Sequence, residues 1–183
     1  MDRHTSSHAF VAQLERHGTD IRDECLALDL ERDFCDWPLR EAYTGRWRVF
    51  PLVFPAAPYL SVDLERNRAR CPRTMAVLAG LEGLQGAGFS ALWPGTRVHL
   101  HRDHYAPGVL RCHLPLLAPR DCTLRMAGHE HGWVEGRCLV FDGQIEHEAV
   151  NEADVPRIVL IADFRVSASD RAIEDRPRIP PSA

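Results

Sequence analysis

From Phe89 onward the chain is a series of short, strand-like stretches cut at near-regular intervals by turn residues, and this rhythm limits the fold more than any other feature. The stretches are Phe89–Trp93, Arg97–His101, Val109–Leu117, Thr123–Ala127, Gly132–Val134, Cys138–Phe141, Glu146–Asn151 and Arg157–Phe164. Between them stand Pro94-Gly95, Pro107-Gly108, Pro119-Arg120-Asp121, Glu135-Gly136, Asp142-Gly143 and Glu152-Ala153-Asp154, each containing a Pro, Gly or Asp that favours reversal of the chain. Regularly spaced short strands predict a sandwich or jelly roll. In such a fold alternate residues of each strand face inward.

The N-terminal part has another texture. Ser7 to Leu30 reads as an amphipathic helix interrupted at Gly18, with Phe10, Val11, Leu14, Ile21, Cys25 and Leu28 forming a stripe that would pack on a sheet. Trp47–Phe50 and Leu52–Phe54 read as strand, broken by Pro51 and closed by Pro55-Ala56-Ala57-Pro58. A short helix is expected after Cys71-Pro72-Arg73-Thr74, with Met75, Leu78 and Leu81 as its apolar stripe and Gly80, Gly83, Gly86 and Gly88 marking its end. The expected organisation is a single domain over 1–183: a helical region 1–44, a β region 45–164 and a loosely attached tail 165–183 rich in proline. A chain of 183 residues buries roughly 70% of the surface its unfolded form exposes, enough for one core.

Composition excludes several classes. The formal charge is −4, and every basic residue is Arg, scattered along the chain without a basic stripe, so no nucleic-acid partner is expected. No apolar run approaches the ~18 residues of a membrane span, and the start MDRHTSSHAF lacks an apolar leader core, which predicts a soluble, cytoplasmic protein without a membrane span. Six cysteines without CxxC spacing are expected to be reduced thiols.

The chemistry concentrates on His101-Arg102-Asp103, His147 and Arg157. Residues two apart on a strand share a face, so His101 and Asp103 can reach one ion, and His147 from a distant strand supplies a third ligand. Two imidazoles and a carboxylate that leave three positions open suit non-haem Fe(II) activating O2. Arg157, opening the apolar strand Ile158–Ala162, is placed for a two-pronged grip on an anionic co-substrate, or else is a plain edge residue. On Val109–Leu117, Arg111 and His113 share one face, while Leu110, Cys112 and Leu114 share the other. If the polar face is interior, Arg111 needs an anionic partner, for which a bound carboxylate is natural. Ser90 precedes the Pro94-Gly95 turn, and a hairpin there would return its hydroxyl to the same pocket.

His99 and His104 flank the HxD segment and are substitute ligands if the register differs. His129 and His131 fall in a polar turn and read as solvent-facing. His4, His8 and His17 read as incidental, Trp133 as a core aromatic, and Cys112 as a poor nucleophile.

Taken in order, Phe89-Ser90, Pro94-Gly95-Thr96, the His101 segment, Leu110-Arg111-Cys112-His113-Leu114, Trp133-Val134-Glu135-Gly136, Phe141-Asp142, His147-Glu148, Asn151, Arg157–Ile161 and Asp163 resemble the aspartyl/asparaginyl β-hydroxylase family. Cys71-Pro72-Arg73-Thr74 resembles its lead-in, and the resemblance covers roughly residues 45–164. It implies a mainly β, cupin-like double-stranded β-helix that uses Fe(II), 2-oxoglutarate and O2 to hydroxylate a C–H bond, releasing succinate and CO2. By position, His101 and His147 match the imidazole ligands. Ser90 and Arg157 match residues that hold the distal carboxylate of 2-oxoglutarate, and His113 lies near its metal-proximal carboxylate. Arg111 matches a position that meets an anionic group of cofactor or substrate.

Asp103 stands where the vertebrate branch acting on growth-factor-like domains has glycine, and HRD is similar to the bacterial lipid A 2-hydroxylases, which are membrane-attached. The expected activity is hydroxylation, β-hydroxylation in the first instance, of an amino acid, a peptide or a carrier-bound or small natural-product substrate. The alternatives are a cupin-type metal enzyme without 2-oxoglutarate and a non-catalytic carboxylate-binding sensor module.

Overall fold

The computed structural model describes residues 8–54, 62–103 and 107–166. The described residues begin with helices α1 (Ala9–Arg16) and α2 (Gly18–Leu26), then pass through the short strand β1 (Cys35–Asp36), a 3-10 turn (Arg40–Ala42), β2 (Tyr43–Thr44) and β3 (Trp47–Val53). Helices α3 (Leu64–Arg70) and α4 (Pro72–Ala79) follow. The elements described after α4 are the strands β4 (Leu84–Leu92), β5 (Arg97–His101), β6 (Val109–Leu117), β7 (Cys122–Met126), β8 (His129–Gly132), β9 (Leu139–Phe141), β10 (His147–Asn151) and β11 (Arg157–Arg165). The strands form a six-stranded sheet in the order β1-β3-β4-β11-β6-β9 and a five-stranded sheet in the order β2-β5-β10-β7-β8, with antiparallel pairings. This is the mainly β, cupin-like jelly roll that the strand rhythm and the family resemblance predict.

Two cores result, because the six-stranded sheet is buried on both faces. Its outer face packs Phe50, Phe89, Cys112, Leu114, Ile158, Leu160 and Phe164 against Phe10, Leu14, Ile21 and Cys25 of α1 and α2. Its inner face meets the five-stranded sheet through Leu92, Val159, Leu139 and Phe141 on one side and Leu124, Met126 and Ala149 on the other. A strand covered on both faces has few polar positions, which accounts for the Ile158–Ala162 run of β11. The polar side chains that β4, β6 and β11 turn inward, Ser90, His113, Arg157 and Asp163, are buried, and Arg111 is nearly so.

Several expectations need correction. The N-terminal helix breaks at His17, and Gly18 opens α2, its absent side chain facing Leu114. Pro51 does not break its strand. β1 covers only Val49 and Arg48, so beyond them the outer edge of β3 is free of ladder bonds, and α3 satisfies it instead. Asn67 Nδ2 donates to the Pro51 carbonyl at 2.9 Å and Arg68 Nε to that of Leu52 at 2.8 Å. A proline on the unpaired side of a strand loses no bond. Gly86 and Gly88 lie inside β4 and do not mark a helix end. A Cβ on Gly88 would sit 2.9 Å from the Phe50 carbonyl oxygen, so the close approach of β3 requires glycine.

His131 is buried on β8, facing the inter-sheet core beside Leu124, because β8 spans His129–Gly132 and not Gly132–Val134. Pro94-Gly95 does not close a hairpin: β4 and β5 belong to opposite sheets, and Gly95 N–H donates instead to the Asn151 carbonyl at 2.9 Å. His4, His104, Pro55–Pro58 and the tail beyond Val166 lie outside the described residues. The six cysteines are free thiols. Among the described residues no helix is long and apolar enough to cross a membrane.

The start of α4 is capped from another helix. Glu24 of α2 accepts the Arg73 N–H at 2.8 Å and both the Thr74 N–H and hydroxyl at 2.7 Å. Burial alone would raise the Glu24 pKa, but the bonds from Thr74 and Arg73 outweigh it and hold the group below its ordinary value. This contribution is therefore complete above the ordinary glutamate pKa and fades as pH falls through the lowered one. Glu24→Ala is expected to lower the unfolding free energy by about 1–3 kcal/mol at neutral pH, read from denaturant midpoints, because buried N–H donors lose their acceptor.

Candidate active site

His101 ends β5 and His147 begins β10, and the two are direct partners across that ladder. Their rings lie 4.3 Å apart between centroids. Asp103 follows two residues beyond the end of β5, held where its N–H donates to the Gly143 carbonyl at 2.8 Å. Its Oδ1 lies 3.8 Å from His101 Nε2 and its Oδ2 3.8 Å from His147 Nε2. One ligand atom from each of the three residues lies within 4.8 Å of the others, and among the described residues they form the group able to share one metal ion. His99 is not part of it, its Nδ1 lying 3.0 Å from the Glu41 carbonyl oxygen.

The tautomers are already set for metal binding. Each Nδ1 meets a backbone carbonyl at 2.7 Å, His99 for His101 and Ile145 for His147, and a carbonyl can only accept. The hydrogen therefore sits on Nδ1, and Nε2 offers its lone pair to the cluster, the arrangement metal-binding histidines use. Burial, with the adjoining His101 and Arg111, keeps His147 below the ordinary imidazole pKa despite the Ile145 carbonyl and Asp103, so it stays neutral and able to ligate. The side chains of His147 and Asp103 are 4% and 12% exposed and that of His101 is 33%, so the site opens on the His101 side.

Gly143 is part of this geometry. A Cβ there would come within 2.3 Å of Asp103 Oδ2 and 3.0 Å of its Cβ. Gly143→Ala is expected to push Asp103 aside and weaken metal affinity by about tenfold, the scale of losing a supporting contact, with an unchanged melting temperature. Metal titration and thermal melts of the same sample check both halves.

Behind the cluster lies a second group of polar side chains. Arg111 on β6 grips Asp163 of β11 through two bonds, Nε to Oδ1 at 2.9 Å and Nη2 to Oδ2 at 3.1 Å. Its Nη1 donates to Asp103 Oδ1 at 3.1 Å. The chain itself thus supplies the carboxylates that Arg111 needs. Burial opposes the charge of Arg111, but Asp163 and Asp103 outweigh it and raise its pKa.

Arg157 differs. It is 3% exposed, and its Nε and Nη1 have no hydrogen-bond partner. The Trp133 ring lies under the guanidinium, 4.7 Å from its carbon. Burial lowers its pKa to about 10, and no carboxylate among the described residues offsets this.

His113 accepts the Trp133 indole N–H on Nδ1 at 3.3 Å, and indole is only a donor, so the ring hydrogen sits on Nε2. That Nε2 is buried without a partner, and burial together with Arg157, Arg111 and His147 holds His113 neutral. Phe141 joins the two groups, edge-on to both His113 and His147 with centroids 5.2 Å from each. Ser90 shares the inward face of the sheet with Arg157. Its oxygen accepts the Trp47 indole N–H at 3.0 Å, which leaves its own hydrogen to donate.

Trp133 is a core aromatic, as expected, and in addition lies against Arg157, while Asp163 is a site residue to which the sequence alone assigns no role. Period two from Arg157 puts Asp163 on the inner face of β11, so alternation alone could have found it. Leu100, Arg102, Arg125, Ile145 and Glu148 line a separate depression of about 610 Å³ on the other face of β5 and β10. Arg125 there already pairs with Glu148 and Glu130, so it is distinct from the histidine cluster.

The family model of aspartyl/asparaginyl β-hydroxylases matches residues 15–166 of this chain. The chain belongs to that family. The match starts well before residue 45, so the family relationship includes part of α1 and all of α2, which cover the outer core. Among aspartyl/asparaginyl β-hydroxylase relatives, the human aspartate beta-hydroxylase domain-containing protein 2 is 35% identical over 153 residues, covering 76% of this chain and 39% of the relative. The ornithine lipid ester-linked acyl 2-hydroxylase of Rhizobium tropici is 38% identical over 122 residues, covering 65% and 41%. The chain therefore spans about two-fifths of the length of these curated relatives. A prolyl-4-hydroxylase of Pseudomonas putida shares the fold, with a TM-score of 0.51 at 24% identity over 82% of this chain and 88% of that one.

Proposed function

We propose that this chain is an Fe(II)- and 2-oxoglutarate-dependent hydroxylase. The observation that carries the reading is Arg157: a buried guanidinium with unpartnered Nε and Nη1, one ring contact from a buried imidazole whose Nε2–H is also unpartnered. Unsatisfied buried donors are each unfavourable by about 1–3 kcal/mol, more when charged, and a dicarboxylate satisfies both. Arg157 would hold one carboxylate through its guanidinium, and Ser90 would add a hydroxyl donor to it. His113 would donate from Nε2 to the other carboxylate. Trp133 shields the guanidinium from water and stacks on it. His101 Nε2, His147 Nε2 and Asp103 hold the ion, a ligand set suited to Fe(II).

When bound, iron, O2 and 2-oxoglutarate together supply the oxidant for a C–H bond, with succinate and CO2 as by-products. The protein holds the reactants in place and keeps water out of the inter-sheet core. The substrate approaches from the exposed side of His101. By kinship it is an amino acid, a peptide or a carrier-bound or small natural product, with acyl groups included because one relative's name specifies acyl 2-hydroxylation.

Mixing the chain with Fe(II) and 2-oxoglutarate under argon is expected to produce the visible charge-transfer absorption of chelated 2-oxoglutarate. Air and a suitable amino-acid, peptide or acyl substrate are then expected to yield succinate. Metal binding with neither signal would favour a cupin-type enzyme that does not use 2-oxoglutarate. Carboxylate binding without oxygen uptake would favour a sensor module.

A further inference from the structure

Asp163 and Arg111 face each other across the β6–β11 ladder, both on the inner face. Two of the guanidinium's nitrogens are committed to Asp163, at 2.9 and 3.1 Å, in the planar fork that carboxylates accept. The third, Nη1, lies beside both oxygens of Asp103, at 3.1 Å from Oδ1 and 2.9 Å from Oδ2, but directs a hydrogen at Oδ1 only. Oδ2 is buried and accepts no hydrogen bond. The side chains of Arg111, Asp103 and Asp163 are only 12–14% exposed, so water does little to screen these contacts.

We propose that Asp163 is a positioning residue of the metal centre: by anchoring Arg111 it fixes Asp103 as a one-oxygen ligand, with Oδ1 bound to the guanidinium and Oδ2 left for the ion. The inference rests on the metal site of the preceding section and extends it to a residue that touches neither the ion nor 2-oxoglutarate.

Two physical effects follow from the shared guanidinium. The first is geometric. Asp103 lies beyond the end of β5, off the ladder that fixes His101 and His147, so strand pairing alone does not decide whether one or both of its oxygens face an ion. Holding Oδ1 from a rigid strand limits the choice to one and keeps coordination positions open. Lysine in place of Arg111 could not do this, since one ammonium cannot fork onto Asp163 and also reach Asp103 in a fixed plane. The second effect is electrostatic. Two carboxylates share one cation, so the trio carries a net negative charge, and Asp103 keeps its attraction for a divalent ion. Without the Asp163 charge, Arg111 would neutralise Asp103 outright and compete with the metal.

The test uses the full chain and Co(II) as the probe, with affinity and the d–d absorption spectrum as readouts. Asp163→Asn is expected to weaken Co(II) binding about tenfold, in the range found when a partner orienting a metal ligand is removed, and to change the d–d spectrum. In an Asp103→Gly background the same Asp163→Asn change is expected to alter affinity less than twofold, because the residue acts through Asp103. Asp163→Asn binding like the native chain would overturn the proposal. So would an equal loss in both backgrounds, since Asp163 would then support the fold in general.

If Asp163→Asn fails to give the native circular dichroism, Arg111→Lys replaces it with the same expected pattern and the same overturning outcomes. A different result separates failure of the metal site itself: Co(II) affinity of the native chain unchanged by His101→Ala would remove the site and with it the positioning role of Asp163.

Discussion

His101→Ala is expected to leave a folded protein that holds no iron and forms no succinate. The side chain is one-third exposed at the end of β5, so its loss opens no cavity, and the melting temperature should stay close to that of the native chain. The ion, however, loses one of three ligands. Affinity should fall by more than the roughly 10–100-fold that removal of a mere supporting contact brings about. Iron content after dialysis, together with 2-oxoglutarate turnover, measures the effect. Native-like iron content would sink the assignment of the triad. His147→Ala should abolish binding equally but also lower stability, because that ring is buried against Phe141.

Arg157→Met is expected to move two quantities in opposite directions. Losing one member of a desolvated charge pair is unfavourable by about 2–5 kcal/mol, so the 2-oxoglutarate requirement should rise by roughly 30-fold or more at 1.4 kcal/mol per tenfold. The protein without ligand should become more stable, because a buried cation with unpartnered Nε and Nη1 gives way to an apolar chain of similar length. Steady-state kinetics in 2-oxoglutarate and denaturant unfolding without it provide the two readings. An unchanged requirement would refute the carboxylate grip. A loss of stability by several kcal/mol would mean that the guanidinium is already paired in the free protein.

Much of this site was legible because strands write their faces into the sequence with period two. Arg111 and His113 against Cys112 and Leu114 follow from that period, and the expected bounds of β5 and β6 coincide with those of the structure, whereas Asp103 lies past the end of β5 and is placed by its N–H bond to the Gly143 carbonyl rather than by strand alternation. What alternation cannot supply is pairing between distant strands. β5 lies against β10, far along the chain, and nothing local forbade the hairpin that Pro94-Gly95 suggested.

Pro51 departs from expectation for a related reason. Whether a proline breaks a strand depends on which edge is already occupied, here by side chains of α3. The burial of His131 is not visible in the sequence, because a polar residue in a polar neighbourhood gives no sign that its strand folds inward. The partners of Arg111 were hidden too, since an inward arginine demands an anion but does not say whether the chain or a ligand provides it.

β11 brings these matters together, since alternate residues of this one strand belong to two different interiors: Ile158, Leu160, Ala162 and Phe164 to the helix-covered core, and Arg157 and Asp163 to the reactive one. A slip of one residue during assembly would drive a guanidinium and a carboxylate into packed phenylalanine and leucine, and would turn the isoleucine and leucine toward the ion. Such a product would forfeit catalysis and stability together. Correct threading of the central strand is thus proofread by the same side chains that later serve chemistry, and a stably folded but catalytically mis-threaded form has little chance to accumulate.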